Sequence, residues 1–358
     1  MSSKSKKTEN DIDRKKRRRK TILICVFLTA VFLMVATYAW LSTTLNVKVK
    51  FFKMTVQSDS GLFISLDGYD YSDAVEISVN SVITDLFETY PNHNNQWSAG
   101  GLWPVSTNGI KHPNTYYFDI YYGNLLRTRT YNDNGSVKRI LNTHTLEEDG
   151  PNSRNVFIAF DVFLKNASGS PYSDHLYFEE GTGIYYDEEL EDVRKEIMDG
   201  ILNSMRIGLV RIAFAPHSTP VPTIQNLQCN NNCSQYIFEP YSKSHSALSI
   251  TTAENYGITL VDGVPIPTYG IIAEGTLLEH TNGHPGSGIP LDTAHFALQK
   301  TMTEADFDDW LFELPNGVTK CRVYVWIEGQ DIDSLETHSK GAGIIIGINL
   351  MKDLAGYE

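Results

Sequence analysis

Three groups of residues have types and spacings that could do chemistry. His280 and His284 stand four apart, the interval at which two imidazoles can share a metal from one helical face. Here Thr281-Asn282-Gly283 lies between them and Pro285 follows, so the segment reads as a loop, and no His-Glu-x-x-His is present. Cys229 and Cys233 bracket Asn230-Asn231-Asn232 in a polar stretch. That spacing closes a small disulfide in an oxidising compartment, or supplies half of a zinc site whose second ligand pair of matching spacing is missing. Glu328, Asp331, Asp333 and Glu336 follow a strand-like run. Carboxylates so spaced can hold Ca²⁺, although they do not match a full calcium loop, and charged turn residues are the other reading. No other cofactor or metal is expected.

Nucleophile elbows, phosphate loops and dinucleotide fingerprints do not occur. Glycosidase carboxylate pairs meet only in three dimensions, so spacing cannot locate them among the many acids of this chain. Asp187-Glu188-Glu189 reads as a solvated helix start, where the helix dipole favours anions. Trp326 falls on the face opposite Val323, Val325 and Ile327, as packing or as a sugar platform. The pairs Tyr116-Tyr117, Tyr121-Tyr122 and Tyr185-Tyr186 fit a binding surface or half-buried sheet faces. Cys321 lies in an alternating strand and reads as core.

The elements that must position these residues begin with Thr21–Leu41, an uncharged run of 21 residues that stays uncharged to Val47. As a helix it would rise about 31 Å, the thickness of a bilayer's hydrocarbon core, with its backbone groups paired internally. Arg14–Lys20 places seven consecutive cations before it. By the positive-inside rule residues 1–20 form a basic cytoplasmic tail, residues 21–43 a transmembrane signal anchor, and residues 44–358 an extracellular domain. Tyr38 and Trp40 suit the outer interface. The run is longer than a signal-peptide core, so retention is the reading; cleavage near Ala39 is the alternative.

Charge divides the same way. Residues 1–20 hold ten Lys/Arg against three Asp/Glu, which leaves 20 against 40 for residues 21–358. A body with that balance repels nucleic acid, so the expected partners are the lipid bilayer through residues 21–43 and other surface proteins or like subunits.

The outer part reads as mainly β. Strands are expected at Asn46–Val56, Leu62–Leu66, Val75–Val79, Tyr116–Tyr122, Arg127–Tyr131, Val137–Leu141, Val156–Lys165, Arg206–Ala215, Gly257–Val261, Tyr269–Ala273, Lys320–Glu328 and Gly343–Leu350. Asn132–Gly135 is a hairpin turn signal, and Pro91–His112 reads as loop. Leu190, Val193, Ile197, Ile201 and Met205 recur at helical spacing. Residues 303–314 fit either a helix or a strand. Residues 216–300, richer in Pro, Asn, Ser, Thr and Gly, form a loop-rich insertion. Many short strands with few helices predict an antiparallel β-sandwich or jelly roll with one or two helices, preceded by the single membrane helix.

Five stretches carry a resemblance: Ala36–Leu41 leading to Gly61–Gly68 (GLFISLDG), Leu102–Gly109 (LWPVSTNG), Phe160–Asn166 with Leu176–Phe178, Ile201–Phe214, and Val323–Asp333 (VYVWIEGQDID). Together they resemble the TasA/camelysin-like surface proteins of Firmicutes. The resemblance implies a jelly-roll domain and a place among biofilm matrix or fibre components. The 216–300 insertion and the retained anchor depart from the secreted fibre formers. Camelysin-like proteins are described as metallopeptidases, and the motif for that chemistry is missing here. The expectation is therefore a non-enzymatic, membrane-anchored surface protein acting in adhesion or assembly. The alternative is a cell-envelope hydrolase or carbohydrate-binding enzyme with dispersed carboxylates; a third reading is a scaffold for an envelope machine.

Overall fold

β-branched and aromatic runs broken by Gly, Asn and Asp give strands, and strands dominate. The computed structural model describes residues 48–97, 101–111, 118–125, 139–146, 157–186, 201–229, 233–239, 260–261, 264–265, 276–280, 298–301, 310–328, 333–334 and 343–353. The chain divides into two units, Met1–Leu45 and Asn46–Glu358, and every described residue lies in the second. The expected span at 21–43 falls outside the described residues; among those described, no helix is long and apolar enough to cross a membrane.

In chain order the strands are β1 (Lys48–Val56), β2 (Leu62–Ser65), β3 (Ala74–Ile77), β4 (Pro104–Lys111), β5 (Phe118–Leu125), β6 (Arg139–Leu146), β7 (Ile158–Asn166), β8 (Asp174–Phe178) and β9 (Gly183–Tyr186). They continue with β10 (Met205–Ala215), β11 (Ser234–Glu239), β12 (Leu260–Val261), β13 (Val264–Pro265), β14 (Thr276–His280), β15 (Leu298–Thr301), β16 (Phe312–Leu314), β17 (Gly317–Glu328) and β18 (Gly343–Asp353). Among the described residues, helix is confined to short pieces: turns at Ser58–Ser60, Asn80–Thr84 and Asp85–Phe87, α1 at Val221–Gln225, and residues 201–204.

Two sheets make a sandwich-like body. One has six strands in the order β16-β8-β18-β1-β3, with β9 also on β18. The other has ten, β14-β6-β5-β4-β17-β10-β11-β15, with β7 on β17 and β2 on β7. The expectation of an antiparallel architecture needs correction. β1/β18, β4/β17, β6/β14 and β11/β15 pair in parallel, so both sheets are mixed. Parallel neighbours need long connections, and the segments between these partners are long enough to supply them.

Between the sheets lies the main core. Phe52, Met54, Ile346, Ile348 and Leu350 from the six-stranded sheet face Phe160, Val162, Leu164, Val323 and Val325 from the other. Phe52 and Phe160 meet edge to face at 5.3 Å between centroids. Each such side chain, fully withdrawn from water, contributes about 1.5–3 kcal/mol.

β17 is buried along its whole length, on both faces. Its odd-numbered positions Cys321, Val323, Val325 and Ile327 enter the main core. Its even positions point to the sheet's other face, where Tyr324 and Trp326 pack with Phe157, Val210 and Ile212. Trp326 is fully buried there.

Two further expectations are revised, and the loop-rich 216–300 stretch, expected to carry short strands, supplies β11, β14 and β15 to the large sheet. Residues 91–112 contain β4, whose Pro104 and Val105 pair with Ile327 and Glu328; tertiary pairing overrides a turn-rich composition. Met205 begins β10 instead of ending a helix, because its backbone pairs with Ile327. Most of the expected helix, residues 187–200, lies outside the described residues, as do Arg127–Tyr131, the Asn132–Gly135 turn and Tyr269–Ala273.

Candidate functional site

The outer face of the ten-stranded sheet is organised in steps along β7 and β17. Next to the Tyr324/Trp326 cluster sit three charged side chains, Asp161, Lys320 and Arg322, with 0%, 1% and 0% exposure. Asp161 and Arg322 are direct partners in the β7/β17 register. Arg322 Nη1 donates to Asp161 Oδ1 at 2.7 Å, and Lys320 Nζ lies 3.2 Å from Asp161 Oδ2. Tyr90 Oη donates to Asp161 Oδ2 at 2.7 Å. The Asp161 amide donates to Asn95 Oδ1 at 2.9 Å, and Asn95 Nδ2 donates to the Val82 carbonyl at 3.0 Å. Arg322 Nη2 donates to the Asn94 carbonyl at 2.9 Å, and Lys320 Nζ to the Gln225 carbonyl at 2.7 Å.

These bonds fasten residues 82–95 and α1 onto the sheet. Burial pushes the Asp161 carboxyl up, but Lys320, Arg322 and the Tyr90 hydroxyl more than offset it and hold it below the ordinary carboxylate range. Burial pulls the Lys320 ammonium down against the attraction of Asp161. Desolvation likewise lowers His93, despite its bond to the Ile83 carbonyl. Sealed from solvent and bonded on every side, the cluster has the chemistry of a clamp.

Beyond it comes a small apolar group, Leu86, Phe163, Ala215, Ile224 and Val318. Beyond that, at Lys165, the face opens into a cleft of about 590 Å³. Its walls come from the β2–β3 loop (Tyr69, Tyr71), the end of β7 (Lys165), the β10–α1 connection (His217, Thr219) and the β16–β17 turn (Asn316). Such a volume is in the range of small-ligand sites.

Local chemistry fixes each wall. Asp67 Oδ1 accepts from the backbone amides of Tyr69 at 2.8 Å and Asp70 at 3.0 Å and from the Ser65 hydroxyl at 2.8 Å. Burial raises the Asp67 carboxyl, and these bonds outweigh it, leaving it below its ordinary value. Gly68 follows with φ +74°, a left-handed conformation that favours glycine, and packs against the Phe163 ring. Gln225 Nε2 ties this loop to α1 by donating to the Asp67 carbonyl at 2.6 Å and the Thr89 carbonyl at 2.8 Å. On the other wall, Asn316 Oδ1 accepts from the Gly169 amide at 3.2 Å and lies 3.1 Å from His217 Nε2. An amide oxygen is an acceptor, so that imidazole nitrogen carries the proton.

Inside the cleft, Lys165 Nζ sits 5.1 Å from the centre of the Tyr71 ring. That is a cation–π contact, and among the described residues no acceptor or carboxylate pairs with this ammonium. The Tyr71 hydroxyl is buried without a hydrogen-bond partner among the described residues. Burial, with Asp67 nearby, pushes it well above the usual phenol value. Tyr69 is 65% exposed. The described lining residues include no carboxylate.

The residues singled out by sequence lie elsewhere. Glu328 is buried and Glu328 Oε2 accepts from Trp326 Nε1 at 3.3 Å; Asp333 is buried, with Oδ2 3.4 Å from Asn203 Nδ2. Asp331 and Glu336 fall outside the described residues, and no group of three metal-ligating side chains occurs among those described. Cys229 and Cys233 are joined as a disulfide, Cα atoms 5.7 Å apart, and pack against the Trp326 cluster. His280 ends β14, and His284 is outside the described residues. Cys321 is buried and free, its thiol pushed by burial up to about 12. None of the cleft's side chains was singled out from sequence as functional, and nothing in the sequence marked its tyrosines.

Comparison with family models, with curated proteins and with solved structures finds no match for this chain.

Proposed function

We propose that this chain is a membrane-anchored extracellular surface protein acting in adhesion or assembly, with recognition at the Tyr69/Tyr71/Lys165 cleft. In this reading residues 1–20 are cytoplasmic, residues 21–43 span the bilayer, and a jelly-roll-type body stands outside. The observation that carries it is the cleft itself: rings, a cation and amide groups, with no carboxylate among the described lining residues. Hydrolysis of a glycan by paired carboxylates needs two acids across the bond, so this cleft favours binding over the hydrolase alternative. The buried clamp supports the same reading, because it holds the cleft walls rigid and rigid walls lower the ordering cost of binding. The resemblance to TasA/camelysin-like surface proteins points the same way.

The test is protease shaving of intact cells expressing the full chain, followed by an aggregation assay. The body should be cleaved while residues 1–20 are protected, and Tyr69→Ala should reduce cell-to-cell or cell-to-surface attachment. Protection of the body in intact cells, or release of the whole chain into the cytosol, would overturn the topology. Unchanged attachment in the variant would overturn the role of the cleft.

A further inference from the structure

We infer that the cleft takes an acidic saccharide: a pyranose unit bearing a carboxylate, its ring against Tyr69 and its acid group on Lys165. This rests on the recognition role proposed above and names its ligand class.

Donors set the choice. Lys165 Nζ offers three N–H groups and meets only the Tyr71 ring among the described residues. The Tyr71 hydroxyl is buried behind the cleft wall, out of a ligand's reach, so Tyr71 contributes the ring that seats the ammonium. Asn316 Oδ1 is already used by the Gly169 amide and His217, so what this amide has left for a ligand is its Nδ2 donors. An oxygen-rich ligand with negative charge satisfies this set, and a cationic ligand would leave it unpaired. Tyr69, 65% exposed at the rim, gives a flat apolar face for the C–H side of a sugar ring. Val221 and Ile224 extend that apolar wall. The acidic balance of the whole chain, −13, does not forbid an anion here. Beyond about 8 Å, fields of exposed charges are largely screened at physiological salt, whereas Lys165 acts at contact.

The experiment is calorimetric titration of the full chain in detergent micelles with cellobiouronic acid and, separately, with neutral cellobiose. The acid should bind at least about tenfold more tightly than the neutral sugar. Lys165→Gln should bring the acid down to the neutral level, Lys165→Arg should retain part of the preference, and Tyr69→Ala should weaken both sugars. Equal binding of the two sugars, with loss in Tyr69→Ala, would overturn the acidic assignment and leave the recognition role standing. Tighter binding of a short peptide with a free C-terminal carboxylate would overturn the saccharide class alone. Absence of binding by every ligand, or binding that neither Lys165→Gln nor Tyr69→Ala alters, would overturn both. The comparison of acid with neutral sugar on the unaltered chain needs no variant, so a misfolded substitution does not remove the test.

Discussion

Arg322 Nη1 meets Asp161 Oδ1 at 2.7 Å across two strands that pair in register at those residues, with both side chains fully buried. A charge pair inside a β body is costly to create and more costly to break. Removing one partner leaves the other desolvated and unmatched, whereas replacing the whole set with apolar groups of similar volume restores a dry interface.

Asp161→Asn is therefore expected to cost about 3–5 kcal/mol. The triple change Asp161→Leu, Lys320→Met, Arg322→Met should cost distinctly less than the single one. Denaturant midpoints of the two variants check this. Equal losses would mean that the cluster stabilises by its charges and not by mutual satisfaction.

The same carboxylate sets an acid limit. Asp161 and Asp67 titrate below the ordinary carboxylate range in the folded chain. With folded values below unfolded ones, the unfolded chain binds more protons in this window. Their stabilisation is complete above about pH 4 and is lost as the pH falls through the lower, folded values. Stability measured from pH 6 down to 2 should hold to the bottom of the ordinary carboxylate range and then decline. Asp161→Asn should flatten that decline.

Cys229 and Cys233 are four positions apart. Loop closure this short removes little unfolded-state entropy, about 2 kcal/mol by chain statistics. Reduction should lower the unfolding free energy by roughly that amount and leave the β signature in circular dichroism intact. A loss of the fold on reduction would show that the bridge also holds the Trp326 cluster together.

Phe160 stands for the main core. It is fully buried and meets Phe52 edge to face. Phe160→Ala is expected to destabilise by about 3–5 kcal/mol, read from a shifted denaturation midpoint. By contrast Tyr69→Ala, at an exposed site, should move stability by no more than about 0.5 kcal/mol. That contrast separates residues kept for folding from residues free to serve a ligand.

Much of the fold was legible because period-2 patterns and apolar runs report burial directly. β1, β2, β7, β10, β17 and β18 all fall where such runs stand. Sheet partners were not legible: nothing in the local pattern of β1 says that it lies parallel to β18. Nor does Lys320-Cys321-Arg322 reveal its setting. An alternation of charged and apolar residues reads as a half-exposed strand, yet residues 82–95 and α1 cover the charged face. The cleft escaped for a related reason. Tyr71, Lys165 and Asn316 are far apart in the chain and belong to no motif, and only the folded arrangement of a loop, a strand end and a turn brings them to one cleft.

The parallel pairing of β1 with β18 has a mechanical side. Lys48 lies beside Gly343 and Val56 beside Leu350, so the start of β1 and the end of β18 leave from opposite ends of the same ladder. Tension applied between Lys48 and Asp353 would load those rungs together, in shear, instead of peeling them one at a time. A body tethered at one terminus and pulled from the other would therefore yield late and abruptly, as a latch does.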